Sequence, residues 1–202
     1  MKIQLIDRNQ YLCELWEKEF KQYDNVTVHQ GDFFGVPADC VVSPANSFGF
    51  MDGGLDGYIT NRLGSQVQAA LQKKIIREYD GELLVGEATL VKTESPLVPY
   101  LISAPTMRVP TILPKDTINP YLAMKATLLC ALGNFDKINT ITVPGLGTGV
   151  GLVDFAICAR QMRKAFEDVI VSPVAFPKSW RKIQLRHIDL YKPNGKEDLQ
   201  HI

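Results

Sequence analysis

Hydrophobic and polar positions change period several times along the chain, and each change marks an element. MKIQLID opens as a short β-like run, and between Gln10 and Gln22 the apolar residues Leu12, Leu15, Trp16 and Phe20 recur at helical spacing. NVTVHQGD alternates and is β-branched, which predicts a strand ending at Gly31. DCVVSPAN is a short apolar run bounded by Pro44, the signature of a fully buried strand. From Asp56 to Tyr79 the period is helical again through Ile59, Leu63, Val67, Ala70, Leu71 and Ile75. Gly64 interrupts it, giving either one bent helix or two.

GEATLVKT and PYLISAPT predict two further strands, separated from the next helix by the proline- and threonine-rich loop VPTILPKDTINP. Leu122, Ala126, Leu129 and Cys130 define a helix over Asn119 to Leu132. INTITVPG is another buried strand. It breaks into GLGTGVGL and is followed by a helix from Val153 to Val169. Beyond Ser172 the pattern fades into a polar, proline-punctuated segment. The expected organisation is therefore one domain over residues 1–172 and an irregular extension over 173–202, packed on the domain or trailing from it. Alternating strands and helices place the chain in the α/β class, a mostly parallel sheet covered on both faces.

Composition narrows the function. The 202 residues carry 22 basic and 22 acidic side chains, a balance that argues against gripping a nucleic-acid backbone. It leaves room for a phosphate site built from backbone amides, which add no formal charge. The four cysteines, Cys13, Cys40, Cys130 and Cys158, sit in apolar surroundings without CxxC spacing and read as buried thiols. With three histidines in the chain, neither a zinc site nor a histidine triad has much material, and no metal or cofactor is implied. The N-terminus is too polar for a signal peptide, and no apolar run approaches the ~20 residues that cross a bilayer. These features suggest a soluble, cytoplasmic protein; oligomeric state is not legible.

The chemistry concentrates in two loops at predicted strand ends, where ligands bind in open α/β sheets. VVSP leads into NSFGFMDGGLDG, and ITVP leads into GLGTGVG. Glycine admits positive φ and lets an anion approach the backbone, and a following helix N-terminus adds to the attraction. The second loop is neither GxGxxG nor GxxxxGKS/T. Plain structural alternatives exist for each feature: tight strand-to-helix turns for the glycines and a turn role for Asn46. Asp56 could be an N-cap, and Asp52 a solvated carboxylate.

Three segments together resemble the macro domain family of ADP-ribose-binding modules over roughly residues 25 to 170. GDFF at 31–34 is similar to the family's Gly-Asp motif after the second strand, and SPANSFGFMDGGLDGYI at 43–59 to NAANxxLxGGGGVDGAI. VPGLGTGVG at 143–151 is similar to loops of the type PxLSTGVYG. The resemblance implies a three-layer α/β/α sandwich with a mixed, mostly parallel sheet. It implies that Asp32 accepts from the adenine amine beside Phe33, and that Asn46 faces the distal ribose. Gly53, Gly54 and Leu55 would offer amides to the diphosphate and ribose. Gly145, Gly147, Thr148, Gly149, Val150 and Gly151 would wrap the phosphates.

Asn46 and Asp56 stand ten positions apart, as in the hydrolytic branch of the family, so the resemblance implies an ADP-ribosyl hydrolase acting at C1″ through these two residues. A non-catalytic ADP-ribose reader and an ADP-ribose 1″-phosphate phosphatase are the alternatives. The partner in each case is ADP-ribose or an ADP-ribosylated substrate. This chain departs from the family pattern at three places. Ser43-Pro44 replaces Asn-Ala, Asp52 replaces a glycine, and Gly151 replaces an aromatic that packs over the distal ribose, for which Phe48 and Phe50 are the steric substitutes. Phe176 is the candidate to stack on adenine. The basic residues after Ser172 suggest a packing arm in preference to a partner contact.

Overall fold

The computed structural model describes residues 1–172 and 176–192. Its element order is β1 (Lys2–Asp7), α1 (Gln10–Phe20), β2 (Val26–Gln30), β3 (Cys40–Ser43), α2 (Gly54–Leu63), α3 (Gln66–Glu78), β4 (Thr89–Lys92), β5 (Tyr100–Ser103), α4 (Asn119–Leu132), β6 (Thr140–Val143), α5 (Phe155–Phe166) and α6 (Trp180–Tyr191). Gly64, at φ +99°, ends α2 by donating its N–H to Thr60 O, so the stretch is two helices. A single wider turn, Glu167–Val171, extends α5.

The sheet runs β2-β1-β6-β3-β5-β4, with β4 antiparallel to β5 and every other pair parallel. The central strands are buried on both faces because residues alternate between two cores. Leu5, Val42 and Ile102 face one core, filled by Trp16 of α1, Met124 of α4 and Phe166 of α5. Ile6, Val41 and Leu101 face the other, filled by Ile59 of α2 and Leu71 and Ile75 of α3. The result is a three-layer α/β/α sandwich, as the pattern of elements implies.

The region expected to be irregular after Ser172 contains α6. Its N-cap, Ser179, accepts from the Lys182 amide. The apolar signal is thin because only Ile188 and Leu190 are buried in it. Polar contacts do the anchoring instead. Arg160 and Lys164 of α5 pair with Asp189, Arg186 pairs with Asp168, and Gln161 Nε2 donates to Leu190 O at 3.3 Å. Hydrophobic periodicity is blind to a helix held this way.

Candidate functional site

A cavity of about 710 Å³ opens at the carboxyl ends of β1, β3, β5 and β6. Its position follows from topology. β3 and β6 are neighbours, yet the loop leaving β3 leads to α2 on one face of the sheet and the loop leaving β6 leads to α5 on the other. Loops that diverge from adjacent strand ends leave a crevice between them.

From β3 the chain turns through Pro44 to Asn46, which is only 8% exposed and lines the cavity. Asn46 Oδ1 accepts from the Phe48 and Phe50 amides at 3.1 and 3.2 Å, and its Nδ2 donates to Phe50 O at 2.8 Å. Both oxygen lone pairs and one of two N–H groups are thus committed to shaping the loop. One N–H is left to offer a ligand. The turn role and the ligand role coexist in one side chain.

α2 begins at the N-cap Gly53, which has no side-chain oxygen to cap the helix. The first amides of the helix therefore have no intrahelical acceptor and face the cavity, where the helix end favours an anion. The other helix at the crevice is different, since Asp154 caps α5 by accepting from Ala156 and Ile157 at 2.9 and 3.1 Å. The anion-attracting end is α2, with Thr148, Gly149 and Val150 opposite it on the β6 loop. That loop is pinned by Val153 N–H to Gly147 O and Leu152 N–H to Gly149 O. At Gly145 a Cβ would lie 2.6 Å from Thr148 Oγ1 and 2.8 Å from Leu12 Cδ2, so a side chain there would make both side chains shift.

Asp56 sits in the first turn of α2, not at its N-cap, and lines the cavity wall. Ser43 Oγ, at the end of β3, donates to Asp56 Oδ1 at 2.5 Å. Burial pushes the Asp56 carboxyl up to about 6, against the pull of the Ser43 hydroxyl and with added repulsion from Asp52. A carboxyl that titrates near neutrality beside a water-accessible cavity can exchange a proton with water.

Asp32 does not line the cavity. Its Oδ1 accepts from the Phe34 amide at 2.8 Å, and its Oδ2 accepts from Tyr58 and lies 3.6 Å from Arg8. The Tyr58 hydroxyl, then the Phe34 amide, hold this carboxyl below the usual carboxylate range. What faces the cavity at this end is Arg8, Tyr58 and Phe33. The Arg8 guanidinium lies 5.4 Å from the Tyr58 ring centroid, and Tyr58 in turn packs on Phe34 at 5.8 Å.

The absence of an aromatic at Gly151 has a steric cause. A Cβ at this position would stand 2.5 Å from Gly147 O and 3.0 Å from Leu113 Cδ1, and Leu113 N–H donates to Gly151 O at 2.9 Å. The proline- and threonine-rich loop fills the space a ring would need. Of the two phenylalanines in the β3 loop, Phe50 lines the cavity, whereas Phe48 lies under Arg108 at 5.0 Å. Phe176 is 90% exposed and forms no part of the wall; Phe155 does, edge-on to Tyr11 at 6.3 Å, as do Phe33, Phe50 and Tyr58.

Asn46, Asp56, Phe33 and both glycine runs therefore converge, and Asp32, exposed and bonded by Tyr58, is not among the lining residues. Sequence reasoning missed Asp7, Arg8, Tyr58, Phe155 and the Thr106–Met107 turn. The signal for the first two was present: they end a predicted parallel strand, the same position that drew attention to the glycine loops. Arg8 is the one basic side chain on the wall among the described residues, facing Asp7, Asp52 and Asp56. Among the described residues no group of three or more His, Cys, Asp or Glu side chains could hold a metal. Among the same residues no helix is long and apolar enough to cross a membrane.

A three-layer sandwich with a strand-end crevice between two glycine-rich loops is the architecture of macrodomains. The family model for the macro domain matches residues 42–162, and the chain belongs to that family. An uncharacterized protein of Aquifex aeolicus is 29% identical over 79% of this chain and 97% of its own length. An O-acetyl-ADP-ribose deacetylase of Pantoea vagans is 29% identical over 62% of this chain and 71% of its own length. The macrodomain of Mycobacterium tuberculosis DarG superposes with a TM-score of 0.60 at 22% identity, covering 70% of this chain and 90% of that one. A variant of the Oceanobacillus iheyensis macrodomain with ADPR superposes at 0.58, also at 22% identity, covering 67% and 73%.

Proposed function

We propose that this macro domain binds ADP-ribose in the crevice and hydrolyses adducts of it at the distal ribose C1″. The observation that carries the reading is Asp56, a part-buried carboxyl held by Ser43 in the wall between the open α2 N-terminus and the β6 loop. A diphosphate lies between uncapped amides there, which places the distal sugar at the Asn46–Asp56 end. The base extends toward Arg8, Tyr58 and Phe155. The Oceanobacillus structure with ADPR supports the ligand, and the Pantoea deacetylase, named for removing an acetyl group from an ADP-ribose adduct, supports hydrolysis of ADP-ribose adducts in general.

The chemistry is a substitution at an anomeric carbon. Asp56, ionised, takes a proton from a water whose oxygen bonds to C1″ as the bond from C1″ to the acceptor breaks. The acceptor leaves with the electron pair and gains a proton, giving ADP-ribose and free acceptor. Positive charge developing on the sugar is stabilised by the Asp56 and Asp52 carboxylates and by the ligand's own diphosphate. The remaining Asn46 N–H orients the ribose.

A non-catalytic reader is the second reading, and one observation favours it. Three of the four hydrogen-bonding positions of Asn46 are used inside its own loop, and Gly151 offers no ring to press on the ribose. One experiment separates the two. Calorimetric titration with ADP-ribose, controlled by AMP and NAD, is followed by chromatography of ADP-ribosylated substrates incubated with wild type and Asp56→Ala. Hydrolysis predicts product with wild type, none with the variant, and ADP-ribose binding by both. Equal turnover by both proteins would sink the mechanism.

A further inference from the structure

Ser43 stands where the family pattern carries an asparagine, and the structure gives it a partner. Its side chain is wholly buried, and its Oγ–H reaches Asp56 Oδ1 at 2.5 Å. The donor's place is fixed by backbone on both sides. Ser43 closes β3 in register with Ser103 of β5, and its carbonyl accepts from Ala104 N–H at 2.9 Å. The acceptor's place is fixed by α2, whose Ile59 and Leu63 are packed in the core. Among the described residues Ser43 is the one side chain that donates to Asp56, and Asp56 Oδ2 has no described partner.

We propose that Ser43 is the positioning residue of the proposed reaction: its hydroxyl fixes one oxygen of Asp56 to the end of β3 and leaves the other turned to the cavity for water. This inference rests on the hydrolytic reading of Asp56. An ionised carboxylate can only accept, so the Ser43 proton must point at it, and the bond favours the charged form.

The choice of a hydroxyl follows from the surrounding charges. Asp52 reaches Asp56 from the loop before α2, while Asp7 and Arg8 face the cavity from the end of β1. At the register of Ser43 the strands contribute no charge. Ser43, Ser103 and Thr89 lie in register across β3, β5 and β4, all buried and all neutral. A cation in place of Ser43 would drive the carboxyl far into its ionised form and leave a feeble base. An apolar residue there would shift it toward its protonated form. A single neutral donor against burial and Asp52 keeps the group close to the pH at which a base is most effective.

The test reads Asp56 directly. Protein labelled with ¹³C at aspartate carboxyl carbons is titrated by NMR, with Asp56→Asn identifying the resonance. Ser43→Ala is expected to raise the Asp56 midpoint by about one pH unit. Ser43→Thr, which keeps the hydroxyl, restores the midpoint. The acidic limb of kcat moves upward with it in Ser43→Ala, while KM at alkaline pH stays that of wild type, a split that simple structural damage does not produce. An unchanged midpoint in Ser43→Ala, or a shift that Ser43→Thr does not reverse, overturns the inference. Absence of turnover in wild type counts against hydrolysis itself and leaves the NMR midpoint to decide the Ser43–Asp56 pair.

Discussion

Tyr58 on α2 donates its hydroxyl to Asp32 Oδ2 in the loop after β2, and Arg8 stacks over the same tyrosine ring. The bond gives a carboxylate expected to meet the ligand's base a partner among the protein's own side chains. Tyr58→Phe keeps the ring and removes the proton. Because the Tyr58 hydroxyl is the leading cause that holds Asp32 below the usual carboxylate range, its midpoint is expected to rise toward that range in the variant. Carboxyl NMR titration of the two proteins checks this, and an unmoved Asp32 resonance would refute it.

Asp56 sets a pH dependence of stability. Its folded value, about 6, lies above the usual carboxylate value of about 4, so between those limits the folded state holds more protons than the unfolded one. Stability from this group is therefore present below about pH 4 and lost as pH rises through about 6. Asp56→Asn is expected to be more stable than wild type at pH 7 by about 1–3 kcal/mol, with the difference shrinking toward pH 4. Urea unfolding at both pH values measures it. A variant less stable than wild type at pH 7 would contradict the sign.

Gly151 is closed to side chains by Gly147 O and Leu113. Gly151→Ala is expected to cost about 1–3 kcal/mol through overpacking and to weaken ADP-ribose binding, because the β6 loop must shift to relieve the contact. Thermal unfolding and calorimetry test the two effects together. An alanine variant with unchanged stability would show that the Leu113 loop yields freely.

α6 is held by Asp189, which receives Arg160 and Lys164, and by the buried residues Ile188 and Leu190. We expect truncation after Ser172 to lower the melting temperature by several degrees, because α5 then exposes the face that carries Arg160, Gln161 and Lys164. Asp189→Ala is expected to cost about 1 kcal/mol, as partly exposed pairs do. A truncated chain that melts like the full one would put the domain boundary at 172.

Among the described residues, every named strand and helix but α6 follows from repeating apolar positions, and so does the three-layer class, because strands buried on both faces and amphipathic helices carry their environment in their spacing. The α2–α3 break was visible as Gly64 but not its outcome, and α6 was invisible since its hold on the domain is polar. The glycine loops were legible as small residues at predicted strand ends, and the Asn46–Asp56 spacing through the resemblance to the macro domain family.

What the tertiary structure alone decided is which groups meet. Ser43 and Asp56 are 13 residues apart and Tyr58 and Asp32 are 26 apart, and no periodicity relates them. Strand order puts β3 beside β6, so that two loops from distant parts of the chain share one crevice. Burial then moves the Asp56 carboxyl toward neutrality, and Leu113 occupies the room beside Gly151. Local sequence determines which elements form, because propensity and spacing act over a few residues. The charge state and neighbours of a carboxyl depend on what the folded chain brings within hydrogen-bonding distance, and only packing specifies that.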